Sequence, residues 1–556
     1  MRYLSNGKIL LAIAFGMASI AWGQGGGGRA GRAATTQPAA APGGAPANAG
    51  GRGGAGAGGA AGGGGGAGEF YNFDPTATTT LQFPEAATET HQKITVNDAA
   101  LAYTARAGFL PLRNATTGQS EAHIFYTFYA KEGVTEVMTR PVVFFLGGAP
   151  GVAATWQEFG GLGPKRMKWA SDGTAGAAPY GWADNPQTLL NEADLVFVNP
   201  VGTAFSRPDV PSRGPSFWST AADTASLGEF VRSFISTNNR RNSPLFLAGE
   251  DLGTARAAGL ATYLTEHEIP VEGLVLLSMT TTADALAGDE QYMTLAPSLI
   301  MAAWYHKKLS PELNAMSAEQ ISGQARQFAS REYLHALYKG DRMTPDEHTK
   351  VVADLARLTG LSKAFIVNNN LRITQDRFNS ELMREQHRGL SPSDGRVNGF
   401  LPSGGGRGGG GGFGGGGAID FNQINLAGGF QTAYEAYLRH DLTFNGNPNG
   451  IFYLSSGGVG TFTATGSDDA SLAAVFARNP NLRLYVGVNY FDLNAPFYAA
   501  EFTLAHLNVS PEVRAHNITV SHFESGQMTY VDNKALVKLE TELSRFVKES
   551  TQAAHQ

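Results

Sequence analysis

Cysteine is absent from all 556 residues. No disulfide can brace the fold and no lipid can be attached at a processing-site cysteine, so stability has to come from packing alone. Charged residues make up only 16% of the chain and the formal net charge is -6. No run of Lys and Arg and no basic stripe occurs, which argues against nucleic acid and anionic membrane surfaces as partners. The apolar stretch from Ile9 to Ile20 is shorter than the roughly 20 residues that cross a bilayer. There is no His-Glu-x-x-His and no clustered His/Asp spacing, so no metal or cofactor is expected.

What the chain has in excess is glycine, 71 residues, many of them in two segments. Met1 to Gly23 carries Arg2 and Lys8, then the apolar stretch, then small residues; this is the three-part pattern of a secretory signal peptide, with cleavage expected near Gln24. Residues 24–68 are Gly, Ala, Pro, Arg and Thr, too poor in large apolar side chains to offset chain entropy, and read as a disordered tether. Order is expected from about Glu69. Pro141 to Leu146, Leu195 to Val198, Leu245 to Ala248, Gly273 to Leu277 and Leu482 to Val488 are continuous apolar runs, as strands buried on both faces of a parallel sheet read. Thr220 to Ser236 places Leu227, Phe230, Val231 and Phe234 on one helical face. Alternating strands and helices predict an α/β sheet over 69–282 and 418–556. Between them, 283–417 reads as helices without strands, a cap over the sheet's carboxyl edge that ends in the glycine-rich loop Gly404 to Gly417. That loop lacks the Gly-Lys-Ser/Thr ending of a phosphate loop.

The most informative stretch is Phe246 to Ala258, which contains Gly249-Glu250-Asp251-Leu252-Gly253. A strand, a sharp turn on two glycines and an Ala-rich helix form the setting of a nucleophile elbow, whose central serine is held exposed at the end of a sheet. Here the central residue is Asp251. Other segments occur in order around it: Leu146 to Gly151, Gly161-Leu162-Gly163-Pro164, Asp184-Asn185-Pro186, Asn199 to Ser206, Trp304 to Lys308, Asn489 to Phe497 and Phe523 to Met528. Together they resemble the serine carboxypeptidase family of the α/β-hydrolase fold in its bacterial exported form, from about His91 to Val547. The resemblance implies a mostly parallel central sheet flanked by helices with a helical cap insertion, and a Ser-Asp-His triad. Its positions fall on Asp251, Asp492 and Gln527, so only the middle member is kept. It also implies oxyanion donors at the backbone N–H groups of Ala149 and Leu252. Substrate contacts are implied at Gly147, Gly148 and Glu250, with Gly147 replacing an asparagine and Gly161 a glutamate.

An amide exchanges no proton near neutral pH, so Gln527 can neither activate a nucleophile nor protonate a leaving amine. Asp251 is itself a carboxylate nucleophile of a kind some hydrolases use, yet the resulting ester still needs a base to activate water. His522, His516 and His506 precede Gln527 but none stands at its loop position, and each is expected to be structural or solvent-facing. Asp251 and Asp492 sharing a proton or a cation is a further alternative. The expected function is therefore an exported, periplasmic or extracellular protein of carboxypeptidase type that binds peptides or polypeptide C-termini without cleaving them, with no membrane contact after signal cleavage. The rival is an active hydrolase, serine-type by family or an Asp-nucleophile esterase.

Overall fold

Long apolar β-branched runs pair side by side because only a sheet covered on both faces buries them completely. In a computed structural model, residues 77–553 are described except 149–150, 171–172, 281–285, 287, 402–418, 447–451, 453 and 455–467. The expected signal peptide, the tether, Ala149 and the glycine-rich loop lie outside the described residues.

The central sheet contains β1 (Thr88–Val96), β2 (Ala99–Arg113), β3 (Ser120–Lys131), β4 (Val142–Phe145), β5 (Asp194–Val198), β6 (Leu245–Glu250), β7 (Gly273–Leu277), β8 (Arg483–Asn489) and β9 (Ile518–Phe523). Their spatial order is β1-β2-β3-β5-β4-β6-β7-β8-β9, and Arg207–Pro208 pairs with β3 as a tenth short strand. β1, β2, β3 and β5 pair antiparallel. From β5 onward every neighbour is parallel. Every residue of β4, β5, β6 and β7 is buried, as the continuous apolar runs require. β1 is longer than its apolar core Ile94-Thr95-Val96 suggests, because Thr88 to Lys93 pair with β2 while their side chains alternate toward solvent.

One face of the sheet packs on α1 (Thr220–Thr237) and α2 (Gly253–Glu266), whose Leu227, Phe230, Phe234, Ala257 and Leu260 join a single apolar cluster. The helices of the inserted region, α3 (Glu290–Tyr305), α4 (Ala318–Phe328) and α5 (Pro345–Thr359), extend this same cluster. The other face carries α6 (Phe421–His440) and α7 (Asn533–Ala553). α3 accommodates Pro297 in its interior, a residue that normally interrupts a helix. One local expectation needs correction. The inserted region is not free of strands: Arg388–Leu390 and Asn398–Phe400 pair as an antiparallel ribbon.

Candidate active site

The elbow is a backbone structure first. Asp251 has φ 54°, a left-handed conformation that most side chains avoid. Its N–H donates to the carbonyl of Leu277 at 3.0 Å, and its own carbonyl accepts from the Thr254 N–H at 2.9 Å and the Thr254 hydroxyl at 2.6 Å. The flanking glycines are required by contact: a Cβ on Gly249 would lie 2.0 Å from the Gly253 carbonyl oxygen, and one on Gly253 would lie 1.9 Å from that of Gly147. Gly147, at φ 69°, leaves only 2.7 Å between an added Cβ and the carbonyl oxygen of Val152. Arg256 of α2 fastens this turn from below, donating to the carbonyls of Leu146 at 3.1 Å and Gly148 at 2.6 Å while its Nε meets Asp223 at 2.6 Å.

The three triad-equivalent side chains come together. Asp251 and Gln527 line the same cavity, and the Leu252 N–H and the Gln527 side chain both favour the ionised form of the Asp251 carboxyl. The Gln527 Oε1 accepts in turn from Asn494 Nδ2 at 3.3 Å. Asp492 receives the N–H groups of Asn494 and Ala495 on Oδ1, both at 3.0 Å, but its Oδ2 has no hydrogen-bond partner. The nearby Ser278 hydroxyl is committed elsewhere, donating to the Gln527 carbonyl at 2.9 Å while it accepts from Asn489 Nδ2 at 2.7 Å. In a working triad the second oxygen of the aspartate takes the ring N–H of histidine; here that oxygen is left over.

Burial dominates the electrostatics. It pushes the Asp251 carboxyl up to about 7, against the pull of the Leu252 N–H and the Gln527 amide. It pushes Glu250 up to about 8, where the Tyr530 hydroxyl pulls it back and a charge on Asp251 adds to the rise. Asp492 is held well above the usual carboxyl range by burial, and a charge on Asp251 acts in the same direction. Among the described residues no three His, Cys, Asp or Glu side chains are arranged to hold a metal ion.

Several partners were not visible in the sequence. Tyr530 packs over Gly160 and Gly161, where added Cβ atoms would approach its ring and Cβ to 2.5 and 2.7 Å, and its hydroxyl donates to Glu250 Oε2 at 2.8 Å. A tyrosine thus covers the side-chain position that the resemblance gives to a glutamate. Segment 391–397 braces the loops carrying Asp492 and Gln527. The Ser393 carbonyl accepts from the Gln527 N–H at 2.8 Å, the Pro392 carbonyl accepts from the Leu493 N–H at 3.1 Å, and His306 Nε2 bonds the Gly395 carbonyl at 2.8 Å. His522 is engaged with Glu501 at 2.5 Å and stacks on Tyr490; His506 and His516 bond carbonyls one turn back and are exposed. The cavity at Asp251 measures about 20 Å³ and is lined by Gly148, Trp156, Gln157, Glu250, Gln423 and Gln527 among others. None of its lining residues belongs to 283–417.

A parallel sheet ending in a strained elbow between strand and helix, with an aspartate on a neighbouring loop, defines an α/β-hydrolase-fold protein. The chain belongs to the serine carboxypeptidase family, whose model matches residues 97–375. It is 26% identical over 268 residues to serine carboxypeptidase-like 50 of Arabidopsis thaliana, a match covering 47% of this chain and 53% of that protein. The chain therefore spans about half the length of this curated relative. Its fold is similar to that of Kex1(delta)p, a prohormone-processing carboxypeptidase from Saccharomyces cerevisiae, with a TM-score of 0.51 and 12% identity over 80% of this chain and 91% of that one.

Proposed function

We propose that this chain is an exported, non-hydrolytic member of the family that binds polypeptide ends and leaves them intact. The observation that carries this reading is that an amide, Gln527, stands beside the Asp251 carboxyl in the same cavity. The position that should pass protons holds an amide, and the position that should attack holds a buried carboxyl. The Leu252 N–H, the donor that the resemblance assigns to a reacting carbonyl, already acts on that carboxyl by favouring its charged form. Removal of triad members costs on the order of a millionfold in turnover in a protease of this chemistry. The signal-like first residues support placement in the periplasm or outside the cell. No described helix is long and apolar enough to cross a membrane. Peptides are the natural ligand class because Glu250, which the family resemblance assigns to chain-end recognition, is kept and lines the cavity.

One observation favours a rival. A carboxyl with its pKa near 7 is partly ionised at neutral pH, and Asp251 occupies the strained nucleophile position. An ester formed on it would still require a base, and neither Gln527 nor His522, paired with Glu501, supplies one. Hydrolysis of blocked dipeptides and p-nitrophenyl esters separates the two readings: we expect wild type and Asp251→Asn to be indistinguishable from buffer. Turnover by wild type that disappears in Asp251→Asn establishes the rival.

A further inference from the structure

A strand at the edge of a sheet presents a row of N–H and C=O groups that a strand of another chain can pair with. β1 is such an edge. Its nine residues pair with β2 on the inner side, and among the described residues no backbone group outside β2 hydrogen-bonds to its main chain. The opposite edge is guarded, since Lys538 of α7 donates to the His522 carbonyl of β9 at 2.7 Å. On β1, Glu89, His91, Lys93 and Thr95 are exposed and alternate with Thr88, Thr90, Gln92, Ile94 and Val96, which are half-buried or buried. Glu89 Oε2 meets Arg106 Nε of β2 at 2.5 Å and His91 Nδ1 meets Glu132 at 2.7 Å, whereas Lys93 has no carboxylate partner among the described residues.

We infer that β1 pairs antiparallel with β1 of a second copy of this chain, about a twofold axis through His91, so that two sheets continue into one. Charge decides both the partner and the register. A lysine on an edge strand ordinarily deters pairing, and it is matched only by a strand that presents a carboxylate at the facing position. β1 carries that carboxylate itself: Glu89 lies on the same face four residues from Lys93, about 13 Å along the strand and out of its reach within one copy. An axis through His91 sets Glu89 of each copy opposite Lys93 of the other. Opposite charges on facing residues stabilise a strand pair and like charges destabilise it. Moving the axis one residue toward the carboxyl end sets His91 against Lys93, and moving it two sets Lys93 against itself. Moving it one residue the other way leaves Lys93 facing Ala87, outside the strand. At the axis each His91 keeps its own Glu132, so two bare imidazolium groups are not brought together.

Sedimentation equilibrium of the full chain at low ionic strength should show monomer and dimer exchanging between about 1 and 100 μM. Lys93→Glu sets acid against acid and Glu89→Lys sets base against base, so each alone should raise the dissociation constant at least tenfold. Lys93→Glu breaks no ion pair of the described fold, and circular dichroism should find it unchanged. Mixing the two variants is the deciding arm: one then presents two acids and the other two bases, and the mixture should associate to within about threefold of wild type. Because the chain has no cysteine, His91→Cys gives a second reading. Facing Cα atoms of an antiparallel pair stand about 4.5–5.5 Å apart, within the span of a disulfide, so the introduced thiols should oxidise to a covalent dimer while those of Thr95→Cys do not. A wild type that stays monomeric at about 100 μM overturns the inference. So do single variants that associate as wild type does, a mixture that remains monomeric, and crosslinking through Thr95→Cys as readily as through His91→Cys.

Discussion

The two ends of the central sheet bury carboxyl groups in opposite ways. At the amino end, Asp194 opens β5 at 2% exposure, with Arg140 Nε on one oxygen at 2.7 Å, the Arg240 guanidinium on the other and the Lys131 N–H at 3.1 Å. Arg140 and Arg240 also donate to carbonyls of the surrounding loops, Leu190 at 2.5 Å and Arg140 at 2.7 Å. At the carboxyl end, Glu250, Asp251 and Asp492 are buried too, yet the hydrogen bonds that reach Glu250 and Asp492 come from the Tyr530 hydroxyl and the Asn494 and Ala495 N–H groups, and one oxygen of each has none. The first arrangement is a fastening. The second leaves buried polar atoms without partners. Violations of the usual satisfaction of buried groups concentrate where a protein interacts with something else.

This contrast can be broken from either side. The largest effect is expected from Asp194→Ala, which strands two buried guanidinium groups and should cost about 3–5 kcal/mol, read as a lower urea midpoint at unchanged slope. A stability loss of less than about 1 kcal/mol, from the midpoint and slope together, would make the two ends alike. The next effect is pH-dependent. Asp251 and Glu250 have folded pKa values raised above their unfolded ones, so the stability they contribute is fully present below about pH 4 and is lost as pH rises, through about 7 for Asp251 and about 8 for Glu250. Glu158, held by Tyr129 at 2.6 Å and Tyr434 at 2.8 Å and pushed by burial up to about 7, acts with the same sign. Wild type should therefore unfold more readily at pH 8 than at pH 5. Asp251→Asn should narrow the gap by about 2–3 kcal/mol, at about 1.4 kcal/mol for each unit between pH 5 and pH 7; an unchanged or widened gap contradicts the assignment. The smallest effect is expected from Asp492→Asn. The amide keeps an acceptor for Asn494 and Ala495 and replaces a protonated oxygen that has no partner, so stability at pH 6 should stay within about 1 kcal/mol.

What the sequence made legible follows the range of the forces involved. Continuous apolar runs announce doubly buried strands, and β4 to β7 lie where those runs are. The elbow was readable because its glycines answer to contacts only a few residues away, Gly249 against Gly253. That the attacking and proton-carrying positions hold Asp251 and Gln527 was readable from the family resemblance alone, since no local pattern ties residue 251 to residue 527. The groups that give the site its character were illegible. The Tyr530 contact to Glu250 spans 280 residues of chain, and the unpartnered amide of Gln157 looks in sequence like any glutamine. The brace of segment 391–397 escaped for another reason: its bonds run through backbone carbonyls, which carry no sequence signature.

The most direct test of the central claim is labelling by a fluorophosphonate probe that reacts with activated serine hydroxyls, applied side by side to wild type and to the double variant Asp251→Ser with Gln527→His. Those two substitutions remove the carboxyl from the nucleophile position and give the free oxygen of Asp492 an imidazole to hold, within an elbow whose backbone is already in place. The account predicts no labelling of wild type and stoichiometric labelling of the double variant. Labelling of wild type, or of neither protein while both remain folded, would contradict it.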